Sequence, residues 1–297
     1  MKELYSLSGI ITVLNTPFTA ADTLDLPGLR RNVQAALAAG VAGFLVPAMA
    51  AEVNKLSRTE RRQMVETVLA EVAGRVPVFG GASAPDADTR RQILADLRAL
   101  GCDHVLLQIP HQTDAQYRAD VLDAAEVGFA VLMLQDWDFG GGGLPLSLIV
   151  RLFEEVDSFR CLKIETVPAG VKYSAVLAAT DGRLHVSGGW AVSQMLEGLA
   201  RGVHAFMPTG MHHIYTAIFN RYQAGQTEAA RDLFYELLPV LAFANQHLDI
   251  SIHFFKRLLW RQGIYATPRV REPILPFDAI HQQEADRLIE RVMHLKL

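Results

Sequence analysis

From residue 9 to about residue 223 the chain alternates two hydrophobic patterns. Short runs are apolar at nearly every position. Longer runs are apolar only every third or fourth position. Eight of the short runs have strand length: residues 9–14, 43–47, 76–81, 104–110, 129–135, 160–165, 184–188 and 204–208. Continuous apolar character over so few residues marks parallel strands covered on both faces. The longer patterns predict helices over 26–39, 57–73, 87–99, 115–126, 145–157, 168–179, 191–201 and 211–224. Asp25 and Pro27 supply a start signal for the first, and Ser57 with Glu60 a capping box for the second. Eight strands, each followed by a helix, predict an α/β fold of the (β/α)8 TIM-barrel type over residues 1–224. A doubly wound sheet is the alternative, though it usually has fewer units and a nucleotide loop. After residue 224 the rhythm stops. Three helical patterns fill residues 225–297 and predict a C-terminal helical extension, packed on the barrel or against another subunit.

Composition narrows the function classes. The 297 residues are 50% hydrophobic and carry a formal charge of −4, which argues against the basic stripe of a nucleic-acid binder. Cys102 and Cys161 are too few for a disulfide framework, so a reducing compartment is expected. The opening "MKELYSLSGI" has no apolar core of signal-peptide type. No window holds about 18 apolar residues, so no membrane span is expected. A soluble cytoplasmic protein is the resulting expectation.

Barrel enzymes place their chemistry at the C-terminal ends of the strands. Those ends present Asn15 and Thr16, then Pro47, Ala50, Ala51 and Glu52. Further along they present His111, Gln135 with Asp136, Lys163 with Glu165, and Gly188 with Gly189. Within "CLKIET" (161–166), alternation puts Lys163 and Glu165 on one face and Leu162 and Ile164 on the other. If the aliphatic pair faces the helices, Lys163 points into the barrel near its mouth. Burial there favours the neutral, nucleophilic amine, which forms a Schiff base with a carbonyl substrate. The competing reading is a structural ion pair of Lys163 with Glu165 or Asp136. Pro47, Gly188 and Gly189 either admit substrate close to the backbone or only shape their loops. The tract "FGGGGLP" (139–145) lacks the Lys-Ser/Thr of a phosphate loop; a mobile cover and a plain connector both remain open. His212 and His213 are adjacent and accompany no HExxH or Cys/His cluster. No metal and no cofactor are expected.

Taken in order, these segments resemble a known family: "GIITVLNTPFT", "EVNKLSRTE", "GRVPVFGGAS", the Lys163 strand and "VSGGWA", followed by C-terminal helices. The chain resembles the dihydrodipicolinate synthase/N-acetylneuraminate lyase family, class I aldolase-like barrels that work through a Schiff-base lysine. The resemblance implies that Lys163 forms the imine with a small 2-oxo acid. Glu165 and Gln135 then stand at catalytic positions. Ala50, Ala51, Pro47, Asp136, His111, Gly188 and Gly189 line the substrate. It also implies a homo-oligomer, tetramer or dimer. Two departures stand out. The family's Gly-Thr-Thr-Gly-Glu reads Ala48-Met49-Ala50-Ala51-Glu52 here, leaving backbone N–H groups of Ala50 and Ala51 to meet the substrate carboxylate. The family's Tyr-Asn on strand 5 reads Gln135-Asp136, so the proton-shuttling tyrosine is absent. Glu165, Asp136 or a bound water is left as general acid/base. "MLQDW" followed by "LKIETVPAGVKY" resembles the 2-keto-3-deoxyarabinonate dehydratase branch in particular. Pyruvate condensation of the dihydrodipicolinate synthase kind and a non-catalytic small-molecule-binding paralogue are the alternatives.

Overall fold

A computed structural model of the chain describes residues 2–84, 86–138 and 140–297. Eight strands run parallel in chain order and close into a barrel. They are β1 (Gly9–Val13), β2 (Gly43–Val46), β3 (Val78–Gly81), β4 (His104–Leu107), β5 (Val131–Asp138), β6 (Phe159–Thr166), β7 (His185–Gly188) and β8 (Ala205–Phe206). The helices that follow them are α1 (Leu26–Ala38), α2 (Arg58–Val72), α3 (Ala87–Ala99), α4 (Asp114–Ala125), α5 (Leu146–Glu155), α6 (Gly170–Ala179), α7 (Met195–Ala200) and α8 (His212–Gln223). The chain is thus a (β/α)8 barrel, and a doubly wound sheet with open edges is excluded. Three more helices complete it: α9 (Thr227–Ala244), α10 (Leu248–Arg261) and α11 (Ala279–Met293).

Local chemistry sets the helix starts. Asp25 accepts the Gly28 amide at 2.9 Å ahead of α1. Both halves of the Ser57–Glu60 capping box form ahead of α2, satisfying donors that the first turn leaves free. Two regions depart from the periodicity. The helix expected over 191–201 is only Met195–Ala200, because Trp190–Val192 form a 3₁₀ turn with Trp190 and Val192 at positive φ (46° and 53°). After β2, two 3₁₀ turns, Met49–Ala51 and Val53–Lys55, flank Glu52 in the left-handed conformation (φ 55°). Both irregular stretches follow strand ends, where loops rather than periodic elements are required.

Packing groups the chain into two compact units. The first joins the segment ending at Ser8 to Pro77–Met207, with β3–β8 and α3–α7. The second joins Gly9–Val76 to Pro208–Leu297, so the C-terminal helices group with β1, β2, α1, α2 and α8. Both cysteines are buried free thiols. None of the described helices is long and apolar enough to cross a membrane.

The second unit is threaded by a buried polar chain. The Thr12 hydroxyl lies 2.9 Å from His212 Nδ1, and His212 Nε2 lies 2.9 Å from Asn32 Oδ1. Asn32 Nδ2 donates to the Tyr265 hydroxyl (2.9 Å), which donates to the Asn15 carbonyl (3.0 Å). With Asn32 Oδ1 as an acceptor, the neutral imidazole donates from Nε2 and accepts Thr12 at Nδ1, so each member is satisfied. Burial pushes His212 down to about 4, with His213 adding to the effect. The unfolded chain therefore binds more protons than the folded one between about pH 6.5 and pH 4. This contribution to stability is complete above that window and is lost as pH falls through it. His185, pushed to about 3 by burial, acts in the same direction. Urea unfolding at pH 7 and pH 4.5 is expected to show a loss on the order of 2–3 kcal/mol from His212. His212→Gln is expected to flatten the slope; an unchanged slope in that variant would assign it elsewhere.

Candidate active site

Parallel register places Gln135 beside Lys163, and Lys163 beside Ser187. Residues in register on neighbouring parallel strands share a face, so these three side chains form a row. Leu162 and Ile164 occupy the opposite face and are fully buried. Lys163 and Glu165 are 5% and 7% exposed, which is too little for either charge to rely on water.

Glu165 is the hub. Lys163 Nζ lies 3.1 Å from Glu165 Oε1, and the Trp190 amide donates to the same oxygen at 2.7 Å. Gln135 Nε2 donates to Oε2 in a short hydrogen bond. Every partner is an N–H donor, a set that a carboxylate meets with its two oxygens. The loop after β7 is built to allow this. A Cβ on Gly189 would stand 2.2 Å from Glu165 Oε1, and the left-handed Trp190 backbone delivers its N–H to the carboxylate. A bulky residue at positive φ is strained, and the hydrogen bond to Glu165 is what the strain obtains. At Gly188 the constraint is different: a Cβ would meet the Tyr173 hydroxyl at 2.7 Å and Phe206 at 2.9 Å. That glycine serves packing on the helix side.

The ion-pair reading of Lys163 is therefore realised with Glu165, not with Asp136. The pair does not exclude chemistry, since 3.1 Å is also a distance for proton transfer. Asp136 is in register with Ile164, on the opposite face from Lys163. Its Oδ2 lies 2.6 Å from Lys172 Nζ, and its Oδ1 accepts the Leu144 amide at 2.7 Å. Burial pushes Asp136 above the usual carboxylate range, against the pull of Lys172 and Leu144. His111 is half-exposed at the start of α4, 2.8 Å from Asp114. Asp136 and His111 are thus outside the cluster formed by Lys163, Glu165, Gln135 and the Trp190 amide.

Phe139 lies outside the described residues; the rest of the glycine tract is bound down. Lys172 donates to the carbonyls of Gly142 and Leu144. Asp138 accepts the amides of Gly140 (2.9 Å) and Gly143 (3.1 Å). Gly143, at φ 70°, could carry no Cβ without meeting Asp136 Oδ1 at 2.2 Å and Lys172 Nζ at 2.8 Å. Lys172 sits in "VPAGVKY", a segment read only for resemblance, and its role needed the loop's folded path to become visible.

In the other unit, the strand-2 turn is held by its carbonyls. Asn15 Nδ2 donates to the Ala50 carbonyl (2.7 Å), and the Thr16 hydroxyl donates to that of Ala51 (2.6 Å). Of the two amides expected to meet a carboxylate, that of Ala51 already donates to the Ala48 carbonyl at 2.8 Å. Pro47, buried, leads into this turn through a cis bond from Val46. The next residue, Glu52, pairs with Lys256, the most deeply buried lysine at 0% exposure. The sequence reading missed Lys256, although it stands four residues after Ile252 and three before Leu259, on the buried stripe of α10. A lysine at an apolar stripe position was the available signal. Burial pushes it down to about 8, opposed by Glu52.

A family model, "Dihydrodipicolinate synthetase family", matches residues 6–292. The chain is 31% identical to a 4-hydroxy-tetrahydrodipicolinate synthase of Xanthomonas campestris pv. campestris, over 98% of this chain and 96% of that one. It is 26% identical to the L-2-keto-3-deoxyarabonate dehydratase of Azospirillum brasilense, over 90% and 88%. The fold is similar to the crystal structure of a dihydrodipicolinate synthase from Rhodopseudomonas palustris, with a TM-score of 0.89 at 21% identity, covering 98% of this chain and all of that one.

Replacing Lys172 by Met is expected to release the loop. Hydrogen exchange at the Gly143 and Leu144 amides should accelerate at least tenfold while the β5 core keeps its protection. Unchanged exchange would show that Asp136 and Asp138 secure these amides without Lys172.

Proposed function

We propose, from the premise that the chain belongs to the dihydrodipicolinate synthetase family, that it is a Schiff-base lyase for a 2-oxo acid. A 2-keto-3-deoxy sugar acid is the substrate class, and dehydration or aldol cleavage the reaction. The observation that carries this reading is the Lys163–Glu165 pair at 3.1 Å, with Gln135 and the Trp190 amide orienting the carboxylate. Glu165 is the group that moves protons to and from Lys163, a task that the family resemblance gives to a tyrosine at the position of Gln135.

In the proposed cycle Glu165 takes the ammonium proton of Lys163, and the free amine adds to the C2 carbonyl. Loss of water gives a protonated imine, which withdraws electrons from C3. Removal of the C3 proton by a carboxylate yields an enamine. Its electron pair then expels the C4 hydroxyl as water, with the proton returned by the carboxylic acid. In the aldolase variant the protonated imine instead draws in the C3–C4 bonding pair as the base takes the C4 hydroxyl proton and the aldehyde leaves; the resulting carboxylic acid then returns that proton to C3 of the enamine, which becomes the imine. Hydrolysis of the imine restores Lys163. Gly189 and Gln135 act through Glu165. Assembly into a homo-oligomer, tetramer or dimer, accompanies this reading, and sedimentation velocity reads it directly.

The test is borohydride trapping. Incubation with pyruvate or a keto-deoxy sugar acid, reduction and peptide mass analysis are expected to find one adduct, on Lys163. Absence of an adduct across a panel of 2-oxo acids would leave the non-catalytic paralogue as the better account. Product release separates the reactions: water loss without aldehyde for a dehydratase, aldehyde for an aldolase, and consumption of an added aldehyde for condensation. Glu165→Gln is expected to lower kcat by about 10²–10⁴, the range for loss of a positioned acid/base. A kcat within threefold of the parent would remove Glu165 from proton transfer.

A further inference from the structure

Residues 2–8 have no regular secondary structure. Among the described residues, their backbone makes one backbone hydrogen bond, and it is internal, from the Leu7 amide to the Tyr5 carbonyl. Side chains hold the segment instead, across the N-terminal ends of β4, β6 and β7, away from the strand ends that carry the Glu165 cluster. The Tyr5 hydroxyl lies 2.7 Å from Nε2 of His104, the first residue of β4. The Tyr5 ring meets the His104 ring at 5.9 Å and the His185 ring edge-on at 6.5 Å. His185, the first residue of β7, donates from Nε2 to the Leu7 carbonyl at 2.8 Å. Nearer the chain start, Lys2 donates to the Phe153 and Val156 carbonyls, and Arg160 to that of Glu3.

The rings of His185 and His204 stack at 5.1 Å between centres, 26° from parallel. Their hydrogen bonds suit neutral rings. His185 uses its proton on Leu7, and its Nδ1 is buried with no hydrogen-bond partner. His204 Nδ1 accepts the Val186 amide at 3.0 Å, so a proton there would displace that bond. Charging either ring leaves a poorly solvated charge stacked on a second imidazole. Burial lowers all three histidines, and His204 adds to the effect at His185. His104 is less sensitive, because Nε2 meets the Tyr5 oxygen in either charge state. The other charges act elsewhere: Asp103 on His104, Arg160 on Tyr5, and Asp157, Glu154, Arg160 and Arg183 on Lys2.

We propose that residues 2–8 form a strap closed on neutral histidines, which opens as the pH falls from 7.5 to 5.5 and bares the strand ends beneath it. A segment with so few backbone bonds opens locally, without global unfolding. Opening lets water reach His185, so the open state takes up a proton near the ordinary histidine value of about 6.5, where the closed state does not. The closed state is therefore fully favoured above that pH and gives way below it. Over this range one such histidine raises the open population about tenfold.

Cys161 supplies the readout. It is in register with His185, fully buried, and within electrostatic reach of Tyr5. Cys102 is the control for global unfolding, since its sulfur packs with Leu97 against Gly80, on the helix side of β3. The experiment measures labelling by dithiodipyridine at both pH values, divided by the rate for free cysteine at the same pH, with sites assigned by peptide mass. The corrected Cys161 rate is expected to rise about tenfold at the lower pH, with Cys102 within twofold. His185→Gln keeps a donor for Leu7 but takes up no proton, and is expected to hold the Cys161 rise below threefold. Tyr5→Ala/Leu7→Ala is expected to raise the Cys161 rate at pH 7.5 at least tenfold. A parent Cys161 rate that does not change with pH overturns the proposal. So does an equal rise at both thiols, or a full rise in folded His185→Gln. If circular dichroism shows His185→Gln unfolded, the Tyr5/Leu7 variant decides: Cys161 as protected as in the parent would mean that the strap does not cover it, and the proposal falls.

Discussion

A carboxylate buried at the end of a strand must be surrounded by donors, and much of the loop structure after β7 follows from that demand by Glu165. Gln135 reaches it from the neighbouring strand, and Lys163 from two residues before it on its own strand. The Trp190 amide reaches it only because the backbone there adopts a left-handed turn, and Gly189 leaves the space. Remove the carboxylate and three donors lose their acceptor, a cost of about 1–3 kcal/mol for each that stays buried. The same arrangement gives the lysine a proton acceptor at bonding distance.

Opposite faces of one strand separate two roles. Gln135 and Asp136 are consecutive, yet Gln135 joins the Lys163 row while Asp136 is in register with Ile164. Asp136 uses its charge to secure Lys172, and through it the glycine tract. Two of the tract's glycines are needed for space, and at Gly141 a Cβ would stand 2.7 Å from Asp138 Oδ2. At Gly143 a side chain would displace the Asp136–Lys172 contact.

The two buried lysines show where a linear reading reaches and where it stops. Lys163 was found because its strand is short and continuously apolar, and because period-2 alternation shows its neighbour of like orientation to be Glu165. Both facts are local. Lys256 stands on the apolar stripe of its helix, but its partner is 204 residues away. The barrel was legible for the first reason: eight repeats of one pattern. The start of the helix expected over 191–201 was not, since Trp190 takes a positive-φ conformation that delivers its amide to a carboxylate on another strand.

The sequence by itself determined the eightfold strand–helix order, the strand on which Lys163 stands and the face it shares with Glu165. Periodicity and chain connectivity are sufficient for these. Only the tertiary structure decided that Glu165 is held by Gln135 and the Trp190 amide, that Asp136 is engaged with Lys172, and that Lys256 answers Glu52. Pairing of buried charges is a matter of distance in space. A residue's partners are set by register and loop path, and neither is written in the spacing of the residues themselves.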